Sequence, residues 1–409
     1  MSKYIHILPS TSNTSEYDRM STEQSSIDKP KILINKPWIN EDEKREIMDV
    51  LNEGALTSAA KDGGKRVQEF ESLLRSYLNI RHAIAVNSGT SALHAALLSA
   101  DIGQGDEVLL PSFTFVATAN SVMAVGAKPI FVDINKHDYT IDISDLRSKI
   151  TKNSKAIIPV HLYGHPCDMN EILELAEKRS INVIEDACQS LGSTYNNKQT
   201  GTLGIMGCFS FYASKVLTSG EGGAVVTNDN SIAEKIKMIR NHGMVEGYDT
   251  RIFGLNLRLP ELSAAIGKTQ MIKLRSMLDS RKRNADTLTR LIFEFADDNG
   301  IILPTESQNK RFNWYLYTIA FKKDNVRDKI QKKMVLNDKV GATVYYDPPV
   351  HKTPFYERTI ASKTSSSKSS DTELANTDWA SKHVISLPIH PLITQGELER
   401  VAQSIKDAL

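Results

Sequence analysis

Between residues 83 and 228, short apolar runs alternate with helical patterns, and this rhythm constrains the fold more than any other feature. The runs are AIAV (83–86), VLL (108–110), PIFVDI (129–134), AIIPV (156–160), NVIEDA (182–187), CFSF (208–211) and GAVVTN (223–228). Amphipathic stretches such as SALHAALLSA and MNEILELAEKR lie between them. Runs this apolar suit strands buried on both faces. Strands separated by helices need crossover connections, which give a mostly parallel sheet with helices on both sides. The expected fold class is therefore α/β. Two helices precede the sheet: EDEKREIMDVLNE, capped by Asn40 with acids in its first turn, and a second around VQEFESLLRSYL. After about residue 270 the pattern loosens. A long helical segment, MIKLRSMLDSRKRNADTLTRLIFEFADD, is followed by strand-like YLYTIAF and ATVYY and a closing helix, TQGELERVAQSIKDA. The expected organisation is a flexible Ser/Thr/Asn-rich leader over 1–29, a large α/β domain over 30–270, and a smaller α+β domain over 271–409. The low-complexity stretch SKTSSSKSSD (362–371) is expected to be a mobile surface loop.

Composition narrows the function classes. Apolar residues make up 40% of the 409, enough for a sizeable core. Lys and Arg number 50 against 49 Asp and Glu, a net charge of +1. No basic stripe stands out to hold a nucleic-acid backbone, so no nucleic-acid partner is expected. Three cysteines, Cys167, Cys188 and Cys208, do not form a disulfide framework and suit a reducing cytoplasm. The first residues lack the apolar core of a signal peptide, and no run approaches the roughly 20 apolar residues of a membrane span.

Three stretches carry chemistry. SGTSALHAAL (88–97) follows a strand and opens a helix. Gly89 permits a tight turn, and Thr90 and Ser91 fall at the helix N-terminus, where free N–H groups and the dipole favour an anion such as phosphate. Taken alone, the same residues are an ordinary helix cap. In NVIEDACQSLGS a strand ends at Glu185-Asp186, and in open α/β sheets ligands bind at the carboxyl ends of strands. Asp186 there suits a cationic ring nitrogen, and Gln189 lies three residues on. In CFSFYASKVLTSGEGGAVVTN, Lys215 sits among Ala213, Val216 and Leu217. A lysine partly removed from water loses its proton more readily and becomes an amine nucleophile for a Schiff base, although its stem could equally lie on the core with the charge in water. Ser210 adds a hydroxyl. Phosphate site, carboxylate and lysine follow in the order that binding of pyridoxal phosphate (PLP) requires. Other constellations are weaker: His161 to Cys167 lacks the further ligands of a closed metal site, so no metal is expected, and neither G-x-S-x-G nor G-x-G-x-x-G occurs after a strand.

These residues bring a resemblance with them. SGTSALHAALL, GDEVLLPSFTFVATANSV, GAKPIFVDI, AIIPVHLYGHPCDM, VIEDACQSLGS, FSFYASKVLTSGEGGAVVTN, RNHG, GLNLRLPELSAAIG and SLPIHPLIT together resemble the DegT/DnrJ/EryC1/StrS family of PLP-dependent sugar aminotransferases. The resemblance implies the fold of aspartate aminotransferase, with a seven-stranded, mostly parallel sheet, and a homodimer with active sites at the interface. It implies that Lys215 carries the cofactor, that Asp186 pairs with the pyridine nitrogen, that Gln189 touches the ring hydroxyl, and that Thr90, Ser91 and Ser210 hold the phosphate, with Gly89 also among the cofactor-binding residues. Phe115 falls where the family places an aromatic over the ring, and Asn256 where it places an asparagine that reaches the neighbouring subunit's phosphate. His351 is a candidate substrate contact, with a surface-loop histidine as the alternative. The implied reaction moves an amino group from L-glutamate to a nucleotide-linked keto-deoxysugar, in surface polysaccharide or aminosugar biosynthesis. Amination of a non-nucleotide ketone such as a keto-inositol, a PLP-binding regulator and a dehydratase are the alternatives. The dehydratase branch carries His in place of the lysine, and Lys215 argues against it. The turn TSAAKDGGKRVQEFE is several residues longer than the family's usual T-S-G-P-like turn, which leaves the sugar undefined.

Overall fold

The computed structural model describes residues 30–361 and 373–409. The expected leader and the 362–371 loop lie outside the described residues.

Seven strands form the central sheet: β1 (His82–Val86), β2 (Glu107–Pro111), β3 (Lys128–Val132), β4 (Ser154–Ile157), β5 (Asn182–Asp186), β6 (Met206–Ser210) and β7 (Gly223–Thr227). Each coincides with one of the seven apolar runs. Their order across the sheet is β1-β7-β6-β5-β4-β2-β3. Only β7 is antiparallel, pairing with β1 on one side and β6 on the other, and the remaining neighbours are parallel. The reason for the unbroken apolar runs is visible in β1. Ala83 and Ala85 enter one core cluster with Phe70, Leu74 and Phe209, while Ile84 and Val86 enter another with Leu93, Ala96 and Ile236. A strand whose side chains alternate between two covered faces needs apolar residues at every position.

Helix α1 (Glu41–Glu53) begins at Asn40 with a capping box: Asn40 Oδ1 accepts from the Asp42 N–H, and Glu43 Oε2 accepts from the Asn40 N–H. Helix α2 (Lys65–Leu78) lies against the 39-residue helix Glu261–Asn299. Their approach depends on Gly267, where a Cβ would stand 2.9 Å from the Phe70 ring. Helix α3 (Gly89–Ser99) follows β1 directly.

The long helix starts ten residues before the expected MIKLRS segment, because Pro260 opens it and the apolar ELSAAIG run continues without a break. It carries the chain to a second cluster, in which Ala285, Leu288 and Ile292 meet Val401 and Ile405 of the closing helix Gln395–Lys406. A three-stranded sheet of Ile301–Ile302, Tyr317–Phe321 and Val384–Leu387 lies there. YLYTIAF supplies its central strand. ATVYY does not form a strand. Thr343 makes a single bridge to Ser386, after which Tyr345 and Tyr346 line the central cavity and Pro348-Pro349 offer no N–H for a ladder.

Candidate active site

The carboxyl ends of β2, β5 and β6 converge with the start of α3 on one cavity of about 640 Å³. Its wall includes Gly89, Thr90, Phe115, Asp186, Gln189, Ser210 and Lys215. Residues from six separate sequence stretches thus meet where the topology of an α/β sheet places ligands.

The anion end is built by α3. The Ser88 hydroxyl accepts from the Ser91 N–H at 3.0 Å, which caps the helix. The Gly89 and Thr90 N–H groups remain among the first-turn donors that a helix leaves unpaired. Gly89 is required by close approach: a Cβ there would stand 2.8 Å from Ser210 Cβ and 2.9 Å from Cys188 Sγ. The missing side chain therefore lets the Ser210 hydroxyl reach the helix N-terminus. Ser91 differs from expectation. Its hydroxyl donates to Asn87 Oδ1 at 2.6 Å and meets the Ser88 hydroxyl at 2.9 Å, and it is not part of the cavity wall.

The two acids that end β5 have separate tasks, because successive strand residues face opposite sides. Glu185 is fully buried and accepts from the N–H groups of Gly201, Leu203 and Gly204, so it fastens the loop before β6. It also accepts from His161 Nε2 at 2.9 Å, while His161 Nδ1 accepts from the Cys167 N–H. The histidine motif thus buttresses the sheet. Among the described residues no group of three or more His, Cys, Asp or Glu side chains is placed to hold a metal. Asp186 faces the cavity, 5% exposed. Its Oδ2 accepts from Thr118 Oγ1 at 2.8 Å and its Oδ1 from the Cys188 N–H at 3.1 Å. Each carboxylate oxygen keeps a free lone pair for a further donor.

Lys215 sits in the turn after β6, with Nζ 4.7 Å from the centroid of the Tyr315 ring, a cation–π arrangement. The Ser214 hydroxyl meets the Tyr315 hydroxyl at 3.3 Å. Gln189 is held by the Tyr163 N–H, which donates to its Oε1 at 2.8 Å, and its Nε2 donates to the Tyr346 hydroxyl at 3.1 Å. Phe115, 56% exposed, tilts against Tyr346 with ring centroids 6.4 Å apart. Tyr212 and Tyr345 complete an aromatic wall.

Two candidates lie elsewhere. Asn256 is exposed outside the cavity wall, its backbone carbonyl accepting from Asn87 Nδ2. His351 is buried and its ring does not reach the cavity. It is neither a surface-loop histidine nor a wall residue, because Ser112 and Asp378 enclose it. Conversely, sequence reading passed over Thr118, Tyr315 and Tyr346. Thr118 stands one helical turn beyond Phe115 within PSFTFVATANSV, but its partner is 68 residues away and leaves no local signal.

The sequence profile of the DegT/DnrJ/EryC1/StrS aminotransferase family matches residues 37–406. The chain belongs to this family. GDP-perosamine synthase of Caulobacter vibrioides is 32% identical over 386 residues, 93% of this chain and 99% of that one. The UDP-N-acetyl-3-dehydro-alpha-D-glucosamine 3-aminotransferase of Acidithiobacillus ferrooxidans is 33% identical, over 85% of this chain and 89% of its own. Among solved structures, NtdA of Bacillus subtilis with bound cofactor PMP superimposes with a TM-score of 0.81 at 32% identity, covering 92% of this chain and 85% of that one. The fold is that of the family's PLP aminotransferases, as the resemblance implied. The cavity suits such a cofactor: a carboxylate faces it, an amine stands over an aromatic ring, and a helix N-terminus with a hydroxyl beside it is left open by the absent Gly89 side chain.

Proposed function

We propose that the chain is a PLP-dependent aminotransferase that moves an amino group from L-glutamate to the keto group of a nucleotide-linked keto-deoxysugar. The observation that carries this reading is the convergence of Lys215, the Asp186 carboxylate and the N-terminus of α3 on one cavity. The similarity to two aminosugar enzymes with nucleotide-linked names, one GDP and one UDP, supports the substrate class and leaves the nucleotide open.

Pyridoxal phosphate, when bound, supplies the electron sink that lets the carbon bearing an amino group release its proton. Gly89, Thr90 and Ser210 would hold its phosphate, Asp186 its ring nitrogen and Gln189 its ring hydroxyl, with Phe115 on one face. Thr118 and the Cys188 N–H hold the carboxylate in its orientation. Lys215 would carry the cofactor, and its free amine would move the proton at the reacting carbon as general base and acid. Tyr212, Tyr315, Tyr345 and Tyr346 line the cavity around it.

The reading extends to a large domain over 30–270, a small one over 271–409, a cytoplasmic location and a homodimer. Tyr248, 99% exposed, and Phe253, 68% exposed, stand on the segment that ends at Asn256, where the proposed second subunit would meet this chain. No described helix is long and apolar enough to cross a membrane. The test is incubation of purified protein with PLP, L-glutamate or L-glutamine, and a set of nucleotide-linked and free keto sugars and inositols. Amine formation on a nucleotide-linked ketone, lost in Lys215→Ala, is expected. Turnover by Lys215→Ala would overturn the role of the lysine, and turnover only of free ketones would overturn the substrate class.

A further inference from the structure

Two segments with no sequence proximity contribute Thr114, Phe115, Thr118, Tyr345 and Tyr346 to the cavity wall. One runs from Ser112 at the end of β2 through Phe113, Thr114 and Phe115 to Thr118. The other runs from Tyr345 and Tyr346 to His351. They are joined at their far ends by a buried connection. The Ser112 carbonyl accepts from the Val350 N–H at 3.1 Å, and its hydroxyl accepts from the His351 N–H at 3.1 Å. The same hydroxyl meets His351 Nδ1 at 2.7 Å. A hydroxyl has one proton, and with the backbone N–H already donating to its oxygen, that proton is free to point at Nδ1. The neutral ring then carries its own proton on Nε2. That nitrogen faces Asp378 Oδ1 at 3.6 Å, and both atoms are buried with no other partner. The second Asp378 oxygen is occupied by Lys352 at 2.7 Å. Burial holds the His351 ring well below the usual histidine range, at about 4, which keeps it neutral at pH 7.

What the connection controls lies at the other ends of the two segments. Phe113 meets the Tyr346 ring edge-on at 5.9 Å, and Phe115 meets it at 6.4 Å. Thr114 Oγ1 meets Thr118 Oγ1 at 3.1 Å, and Thr118 donates to Asp186. Tyr346 in turn accepts from Gln189. A shift of the 345–351 segment relative to β2 would therefore move Tyr346 against Phe115 and displace Gln189 together. We propose that Ser112, His351 and Asp378 form a buried relay that sets the packing of Tyr346 against Phe115 and Gln189, and so holds in place the wall that would receive the cofactor. His351 is on this view a positioning residue that never touches cofactor or substrate. The inference rests on the reading of the cavity as a pyridoxal phosphate site.

The experiment measures PLP affinity of the cofactor-free protein by visible absorption, alongside its melting temperature. His351→Ala is expected to bind PLP about tenfold more weakly, the equivalent of one lost buried hydrogen bond. Its Gln variant is expected to stay within about threefold of wild type, because the carboxamide oxygen accepts from Ser112 and its NH₂ donates to Asp378. Ser112→Ala keeps the backbone link and is expected to weaken binding about fivefold, so it serves should His351→Ala not fold. A role in folding alone would lower the melting temperature of each variant without moving affinity per folded site. Wild-type affinity in folded His351→Ala or Ser112→Ala, or a Gln variant as weak as the Ala variant, would overturn the relay. Wild-type protein that takes up no PLP would overturn the proposed function itself, a different outcome.

Discussion

At the residue scale the site depends on how one carboxylate is held. Asp186 has two donors in place, Thr118 Oγ1 and the Cys188 N–H, before any ring nitrogen arrives. Thr118→Val preserves shape and removes one of them. A charge-assisted hydrogen bond contributes about 1.5–3 kcal/mol, so PLP binding measured by absorption titration should weaken about tenfold or more. Asp186→Asn should be harsher. It removes the charge that stabilises a protonated ring, and amine transfer should fall by at least about a hundredfold, read as single-turnover rate so that weaker binding is not mistaken for slower chemistry. Gly89→Ala acts by volume instead. Its Cβ meets Ser210 Cβ and Cys188 Sγ well inside contact distance, and it separates the two walls of the phosphate end. Loss of PLP retention on gel filtration, with the fold kept by circular dichroism, is the expected outcome.

At the scale of elements, the meeting of α2 with the long helix turns on Gly267. Alanine in a helix interior is favoured over glycine by about 1 kcal/mol. Here the new methyl would stand 2.9–3.1 Å from three atoms of the Phe70 ring. That ring cannot turn aside, since Phe211 meets it edge-on at 5.1 Å. Overpacking costs about 1–3 kcal/mol, so Gly267→Ala should destabilise despite the better propensity, and a rise in the urea midpoint would contradict this packing. Elements of this kind explain what was legible. The seven central strands announced themselves because both faces are covered, and the α1 start because its capping residues are local. Asp186, Gly89, Ser210 and Lys215 lie at strand ends and helix starts, where the chain itself marks position. ATVYY misled because Tyr345 and Tyr346 are bulky and strand-like yet serve the cavity. Ser91 carries the right hydroxyl at the right helix start, but Asn87 claims it. His351 and Thr118 act through partners hundreds or tens of residues away, and nothing local records such pairings.

At the scale of the whole molecule, acid should weaken the fold through three buried histidines. His165, His351 and His390 each have a folded pKa of about 4, pushed down by burial, against about 6.5 unfolded. Between those values the unfolded chain holds more protons than the folded one, so stability is fully present above about pH 6.5 and is lost as pH falls toward 4. Each histidine contributes a slope of at most about 1.4 kcal/mol per pH unit in that window. Buried carboxylates such as Asp138, held below the usual range beside Lys310 against the opposing effect of burial, add loss in the same direction but at lower pH. The two sources are separable by substitution. His165 stacks on Phe312 at 4.0 Å, its Nε2 has no partner, and its Nδ1 makes only a 3.3 Å contact with the Asp138 carbonyl. His165→Phe keeps a ring in that stack and removes one titrating group, at a cost at neutral pH of about 1 kcal/mol for the lost contact. Urea midpoints measured from pH 7 to 4.5 should fall less steeply in the variant, by about one proton's worth of the wild-type slope. An unchanged slope would mean that His165 is already protonated in the folded protein and that the Asp138–Lys310 cluster tolerates a second positive charge beside it.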